Sequence, residues 1–450
     1  MMLRWQAESA HPIAAFLMML ALVTVIAALC TVPALAEDAP VAPPPPASLL
    51  EAITGGKPLT NFRLRYEHVD QDGKTENANA WTLRSLIGWQ TIPFHDFSVT
   101  AQLINVAVFN DDYDSFDKAL PEPGKSNYPR VVDPDNTDIN QLFVEYSGIP
   151  DTKVRLGRQS VKLDNVRFIG NVEFRQVMQV YDGIALENKS LPNTEIYLAH
   201  YDRIKQVTTK LQSGNVEIAN IKYKFNPTEN IVGYGYFLDL PRNGQNTGAA
   251  FTGTGFSDNS NRTLGLRLDG GHKINNQWKI LYTAEYAKQN DYRSGNTLID
   301  AHYYRVGAGA GYGDWSVRLD RELLSSNDGK YGFQTPLGTN HLFQGWADAF
   351  LTTPKQGIKD TFLSFGGKVF DVQLLGEYHW IDSDEGYARF GGGIGDKYGK
   401  EFDLSIAYPF TKQINAKLEY ASFTEDERIA AAAARKPDLE KLWLTVMYTF

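Results

Sequence analysis

From Leu59 to Phe450 apolar side chains recur at every second position in runs of about ten residues, each bounded by Gly, Pro, Asn or Asp. The early runs are Phe62, Leu64, Tyr66; Trp81, Leu83, Ile87, Trp89; Leu142, Val144, Tyr146; Ala219, Ile221, Tyr223, Phe225; Val232, Tyr234, Tyr236, Leu238; and Leu264, Leu266, Leu268. The rhythm continues through 278–286, 315–319, 372–380, 402–408 and 414–420, and the chain ends on LWLTVMYTF. Between the apolar positions stand Arg63, Arg65, Glu67, Arg267, Asp269, Glu285, Arg318, Asp320 and Glu419. A period of two sends alternate side chains to opposite faces of a strand, so one face is greasy and the other charged.

A soluble sandwich alternates in the same way, and the connections separate the two cases. Short turns at 91–95, 148–152, 189–193, 226–229, 272–276, 313–314, 370–371 and 409–412 alternate with long polar segments at 110–136, 163–178, 240–260, 324–360, 382–397 and 424–438. Short turns at one end and long loops at the other are the rhythm of a bacterial outer-membrane barrel, whose even strand number returns both ends to one side. Lipid offers no hydrogen-bond partners, so such a sheet must close on itself. The expected fold is all-β: a transmembrane antiparallel β-barrel of about 18 strands over residues 59–450, with short periplasmic turns and long extracellular loops. Aromatics on the greasy face, such as Trp81, Trp89, Trp278, Tyr286, Trp315, Trp380 and Tyr408, belong to two interfacial girdles. An aromatic residue closing the last strand fits recognition by the barrel-assembly machinery, and lipid and lipopolysaccharide are the expected neighbours of a monomeric barrel.

The amino terminus reads as an export signal over residues 1–36: Arg4 in a short leader, an apolar stretch 13–29, and a small-residue cleavage site at Ala34-Leu35-Ala36. The single cysteine, Cys30, lies inside it, so the exported chain carries no thiol. Residues 37–58, with four consecutive prolines, are expected to be a flexible periplasmic lead-in. With 44 Lys and Arg against 53 Asp and Glu and no basic run, a nucleic-acid partner is not expected.

In a barrel of this size the charged face lines an aqueous bore. Parity places Arg63, Arg65, Arg84, Arg155, Arg267, Arg305 and Arg318 there, with Glu67 and Asp320 among the acids. Arginine predominates among the bases, and its planar fork binds carboxylates through two bonds, which suits an anion-selective constriction. Arg158, in VRLGRQ, follows Leu156 on the lipid side; a bulge at Gly157 is expected to turn it inward. The segment DNVRFIGNVEFRQVMQVYDG (164–183), which carries Arg167 and Arg175, lacks alternation and is expected to fold into the bore or over its mouth. No GxSxG, HExxH, P-loop or CxxC motif occurs, so no catalytic residue, cofactor or metal is expected, and His341 and His379 read as structural.

Three stretches resemble the alginate-export family of outer-membrane proteins: FRLRYEHVDQDG (62–73), LGRQSVKLDNVRFIG with YDGI (156–170, 181–184), and TPLGTNHLFQGWADAFLTTPKQGIKD (335–360). The resemblance implies a single-chain barrel that passes anionic polysaccharide such as alginate through an arginine-rich lumen. By position it implies lumen roles for Arg65, Arg155, Arg158 and Arg167. The residues themselves leave two cargoes open, an anionic polymer moving out or small anionic or neutral solutes taken up.

Overall fold

The structure is a computed structural model that describes residues 45–115, 122–240, 258–431 and 434–450. The export signal and the first two of the four consecutive prolines lie outside the described residues. Eighteen long strands form the wall: β1 Asn61–Gln71, β2 Ala78–Gln90, β3 Phe97–Asp112, β4 Asn136–Tyr146, β5 Thr152–Gln159, β6 Val180–Asn188, β7 Thr194–Lys205, β8 Leu211–Asn226 and β9 Glu229–Asp239. The circuit continues with β10 Asn261–Lys273, β11 Trp278–Asp291, β12 Asp300–Tyr312, β13 Trp315–Leu324, β14 Ile358–Val369, β15 Val372–Ala388, β16 Ile394–Pro409, β17 Ile414–Glu425 and β18 Leu439–Thr449. Each strand pairs antiparallel with the next, and β1 pairs with β18 from Asn61↔Thr449 to Gln71↔Leu439. That last pairing closes the barrel and leaves no free edge.

The side chains that a soluble protein would bury are outside. Leu64, Leu103, Leu142, Leu156, Leu266, Leu319, Phe365 and Leu444 are exposed, while Arg63, Arg65, Glu67, Arg84, Asp320 and Glu419 are buried inside. The terminal strand keeps the expected parity: Leu444, Val446 and Tyr448 face out, and Trp443 is buried inward. The eight short turns fall where the alternation stopped, and among the described residues no helix is long and apolar enough to cross a membrane.

Three expectations are corrected. The Pro-rich lead-in does not remain flexible up to Leu59: Ser48 caps a short helix, α1 (Leu49–Thr54), by accepting the Glu51 N–H, and Lys57–Pro58 adds to the edge of β2 opposite Gln90 and Trp89. The helix is fastened to the wall, since Trp89 Nε1 donates to Ile53 O at 2.7 Å and Ile92 N to Ala52 O at 3.1 Å. The segment 382–397 is not a loop but the end of a long hairpin, in which β15 and β16 run on to Ala388 and Ile394.

The third correction concerns β9, where Val232, Tyr234, Tyr236 and Leu238 point into the barrel, not to lipid. Glycines at 233 and 235 occupy the other face, so neither face is polar and hydropathy cannot assign the sides. Packing assigns them. Phe168, in the connection from β5 to β6, lies against Tyr234, Tyr236, Tyr303 and Phe333 with ring centroids 5.1 to 6.1 Å apart. The bore therefore contains an apolar core of its own.

Candidate functional site

Two connections supply that inner core. Residues 160–179 leave the wall after β5, and residues 325–357 leave it after β13; both fold inward and dock on each other. Ile169 bridges Leu337 in parallel, Gly170 N donates to Leu337 O at 2.8 Å, and Thr339 N donates to Val166 O at 2.9 Å. Tyr181 of β6 completes the junction by donating to Gly170 O at 2.8 Å. Apart from a short antiparallel pairing of Ser326–Asn327 with Tyr331–Gly332, the backbone polar groups of both segments are satisfied by loop and wall and not by a ladder.

The wall grips both segments at several points around the circumference. Arg63 Nη1 donates to Glu173 O at 2.8 Å and its Nε to Gln176 Oε1 at 2.9 Å, while Arg65 Nη1 donates to Phe174 O at 2.6 Å and lies 4.4 Å above the Phe174 ring. Arg175 answers with two bonds to Glu67, at 3.0 and 3.2 Å. Across the bore Arg167 pairs with Glu322 of β13 at 3.1 Å and donates to Gln344 at 3.0 Å. Gln289 of β11 donates to Gln334 O at 2.9 Å, and Lys222 of β8 meets Asp164 at 3.0 Å.

At the centre His341 and Asp348 of the second segment share a 2.8 Å hydrogen bond, and Asp348 also receives Lys441 at 3.0 Å and faces Arg175 at 3.5 Å. Burial opposes ionisation of Asp348, but Lys441, His341 and Arg175 outweigh it and hold this carboxyl well below the usual carboxylate range. Burial lowers the imidazole pKa of His341 against the pull of Asp348. Phe174 stacks on His341 at 17° between planes.

Residues of these segments divide between two separate cavities. Val172, Arg175, Gly338, Asn340, His341 and Asp348 line one of about 220 Å³ on the long-loop side. Asn171, Glu173, Phe174, Thr339 and Leu342 line one of about 430 Å³ on the short-turn side, together with Arg63, Arg65, Lys162, Lys417 and Glu419. The segments 171–175 and 338–342 are the partition between them.

The remaining sequence-predicted arginines divide into groups. Arg84 is buried beside Arg63, its cross-strand partner; Nη2 donates to Asn61 at 2.9 Å, and Nε and Nη1 have no hydrogen-bond partner among the described residues. Arg305 and Arg318 share Asp320 at 3.1 and 3.0 Å, and Arg318 also donates to Thr283. Arg267 pairs with Asp269 and Glu285, and Arg155 with Glu145 at 2.7 Å. Arg155, Arg305 and Arg318 are inside the barrel and only partly covered, whereas Arg84 and Arg267 are buried and Arg167 is sealed between the segments.

Arg158 is not in the lumen, which overturns the bulge expected at Gly157. Pairing runs regularly through it: Leu142↔Arg158, Phe143↔Gly157, Leu156↔Ile184 and Arg158↔Asp182. Opposed residues of an antiparallel pair share a face, and Leu142, Leu156 and Ile184 are on the lipid side. Register shifts lie in the neighbouring pairs instead, at Gln102/Leu103 and Asp182/Gly183. The cost of an outward arginine is offset locally: Asp182 accepts two bonds at 2.7 and 2.9 Å, and Ile139 O accepts a third at 3.1 Å where β5 is about to leave the wall. Arg158 thus caps a carbonyl that loses its strand neighbour.

Arg175, His341 and Asp348, central to the partition, were not singled out as site residues by alternation, since none stands on a strand. The signal that could have found them is the density of Gly, Asn and aromatic residues in two long segments without period.

No curated protein sequence matches the chain. Its fold is similar to solved outer-membrane barrels of Pseudomonas aeruginosa: OpdL (13% identity over 88% of this chain and 99% of that one, TM-score 0.63), OpdQ (14%, 89% and 99%, 0.63) and OpdK with vanillate (12%, 87% and 98%, 0.61). At such identity the likeness concerns architecture alone. A family model described as alginate export matches residues 60–324. An 18-strand barrel with an apolar belt, a charged interior and this match make the chain an outer-membrane channel that belongs to the alginate export family.

Proposed function

We propose that this channel passes anionic solutes by passive diffusion and selects them by size and charge at the partition between the two cavities. The observation that carries the reading is the lining of the short-turn-side cavity, where Arg63, Arg65, Lys162 and Lys417 face only Glu173 and Glu419 among charged groups. A surplus of fixed positive charge in a narrow, low-dielectric passage concentrates anions and repels cations. The partition favours solutes no larger than a few sugar units or an aromatic acid. The vanillate in the OpdK structure is a carboxylate of that size and a suitable first test solute.

A second reading, passage of an alginate-like polymer, is favoured by the family match. It requires segments 160–179 and 325–357 to move aside, because a uronate chain cannot thread between two docked loops. Single-channel recording in planar bilayers separates the readings. Small carboxylates should carry current, with a reversal potential on the anion side, and block by oligouronates should weaken as their length grows. Cation preference would overturn both readings, and tighter block by longer oligouronates would favour the polymer.

A further inference from the structure

Three adjacent strands bring five ionisable side chains together on the inner wall, at a place where none of the arginines above is a direct partner. β14 contributes Asp360, β15 Glu377 and His379, and β16 Glu401 and Asp403. Strand register fixes the grouping, with Glu377 opposite Asp403 and His379 opposite Glu401. Phe362 lies opposite His379 and stacks on its ring at 4.9 Å between centroids. Side-chain exposure is 3% for His379 and 0% for Asp360 and Asp403; Glu377, at 15%, is the one open toward the bore.

The hydrogen bonds leave a set of unsatisfied atoms in this cluster. His379 Nδ1 is 2.9 and 3.1 Å from the two oxygens of Asp360. With the proton on Nδ1 donated to Asp360, Nε2 carries its lone pair toward Asp403 Oδ2 at 3.5 Å and Glu377 Oε2 at 3.9 Å. Among the described residues nothing hydrogen-bonds Nε2. Each carboxylate spends an oxygen on the protein: Glu377 accepts Ser364 Oγ at 2.7 Å, Asp403 accepts the Trp346 N–H at 3.3 Å, and Glu401 accepts the Ala347 N–H. Among the described residues no N–H or O–H donor reaches Asp403 Oδ1 or Glu401 Oε2, and the two carboxyl groups face each other. Anionic carboxylates buried this deeply around one imidazole are strongly unfavourable unless a proton or a metal cation neutralises them.

The geometry points to a divalent transition-metal site in which His379 Nε2, Glu377 and Asp403 are ligands, with Glu401 in reach as a fourth and Asp360 orienting the imidazole. The ligand atoms of Glu377, His379 and Asp403 all lie within 4.8 Å of one another. Bonds of about 2.0–2.1 Å in a tetrahedral zinc site separate neighbouring ligands by about 3.3 Å, so small side-chain rotations complete the shell. A carboxylate on the far imidazole nitrogen fixes the tautomer that a metal needs and raises its basicity. The imidazole donor and the low ligand number favour Zn²⁺ over Ca²⁺, which takes six to eight oxygens. The Trp346 and Ala347 N–H groups sit on the same carboxylates, so the ion braces the second inward segment against β16. The expectation that His379 is a satisfied structural residue holds for Nδ1 only.

The test uses the full barrel, purified folded in detergent, equilibrated with Zn²⁺ and freed of loose metal by gel filtration. Elemental analysis should find about one zinc per chain, and Co²⁺ in its place should give visible absorption bands of a nitrogen–oxygen site. His379→Gln should abolish retention, and Asp360→Asn should weaken binding about 10- to 100-fold. Should His379→Gln fail to give a β-sheet circular dichroism spectrum, Glu377→Gln, at the open edge of the cluster, serves instead and should also lose zinc. Folded wild-type barrel that retains no zinc, that prefers Ca²⁺ to Zn²⁺, or whose zinc binding survives Glu377→Gln and His379→Gln unchanged overturns the proposal.

Discussion

Arg175 holds Glu67 through both terminal nitrogens, at 3.0 and 3.2 Å, with both side chains buried. One residue belongs to the first inward segment and the other to β1, so the pair fixes the partition to the wall. Removing the guanidinium leaves Glu67, Asp133 and Asp348 without their shared cation. Breaking a buried pair from one side costs about 3–5 kcal/mol. Arg175→Ala is therefore expected to lower barrel stability by about that much and to raise single-channel conductance as residues 171–176 come loose. A folded variant with wild-type conductance would show that these residues do not set the constriction.

Charge selectivity is expected to depend on the partly covered lumen arginines and not on Arg158. Arg305 and Arg318 flank Asp320 inside the barrel, and reversing both to Glu turns a net positive triad into a strongly negative one. The reversal potential in a salt gradient should then move toward cations. Arg158→Gln removes a charge of equal size from the lipid-facing side and should leave that potential where it was, since Arg203 remains 3.6 Å from Asp182. A shift toward cations on Arg158→Gln, even a smaller one, would return Arg158 to the lumen.

How much of this was legible follows from what alternation can encode. The wall was legible: parity of two is dictated by lipid on one side and water on the other, and it located the strands, the short turns, and the inward positions of Arg63, Arg84 and Glu419. It failed at β9, where glycines replaced the polar set and the inward partner was Phe168 of another segment. At Arg158 parity alone gave the outward side that the structure shows; the bulge expected at Gly157 overrode it, because the neutralising Asp182 is 24 residues away and invisible to a local pattern. A missing period in residues 164–183 left two courses, into the bore or over its mouth; residues up to 179 take the first and 180–183 begin β6, while the inward course of the second segment, 325–357, was not anticipated, and the acidic cluster needed three strands in register to exist. Sequence pattern encodes which solvent a side chain faces; it does not encode which loop fills the bore.

Asp348 should make the partition sensitive to acid. Its carboxyl is held well below the ordinary range by Lys441, His341 and Arg175, against the opposing effect of burial. A carboxylate with a depressed folded pKa stabilises in full above the unfolded value of about 3.9, and that contribution is lost as pH falls through and below this range. Denaturant unfolding from about pH 7 down to about pH 3 should show wild type losing stability faster than Asp348→Asn, whose amide does not titrate. Parallel curves for the two proteins would remove Asp348 from the acid response.

Gly157 offers a test of the wall where β5 turns inward. Its φ of +130° lies in the region that side chains rarely adopt, and an added Cβ would stand 2.3 Å from Leu142 O and 2.9 Å from Phe143 Cα, both backbone atoms of β4. Strand pairing is regular on both sides, so relief requires either strand to move and break the Leu142↔Arg158 and Arg158↔Asp182 alignments. Gly157→Ala is expected to cost about 1–3 kcal/mol. Gly233 on β9 is the control, because a Cβ there meets only Leu266 Cδ1, at 3.9 Å. Gly233→Ala should change stability by no more than about 0.5 kcal/mol. Urea unfolding of the two variants in the same detergent compares them directly, and an equal response at both positions would mean that the backbone at Gly157 is unstrained and that its glycine serves no conformational need.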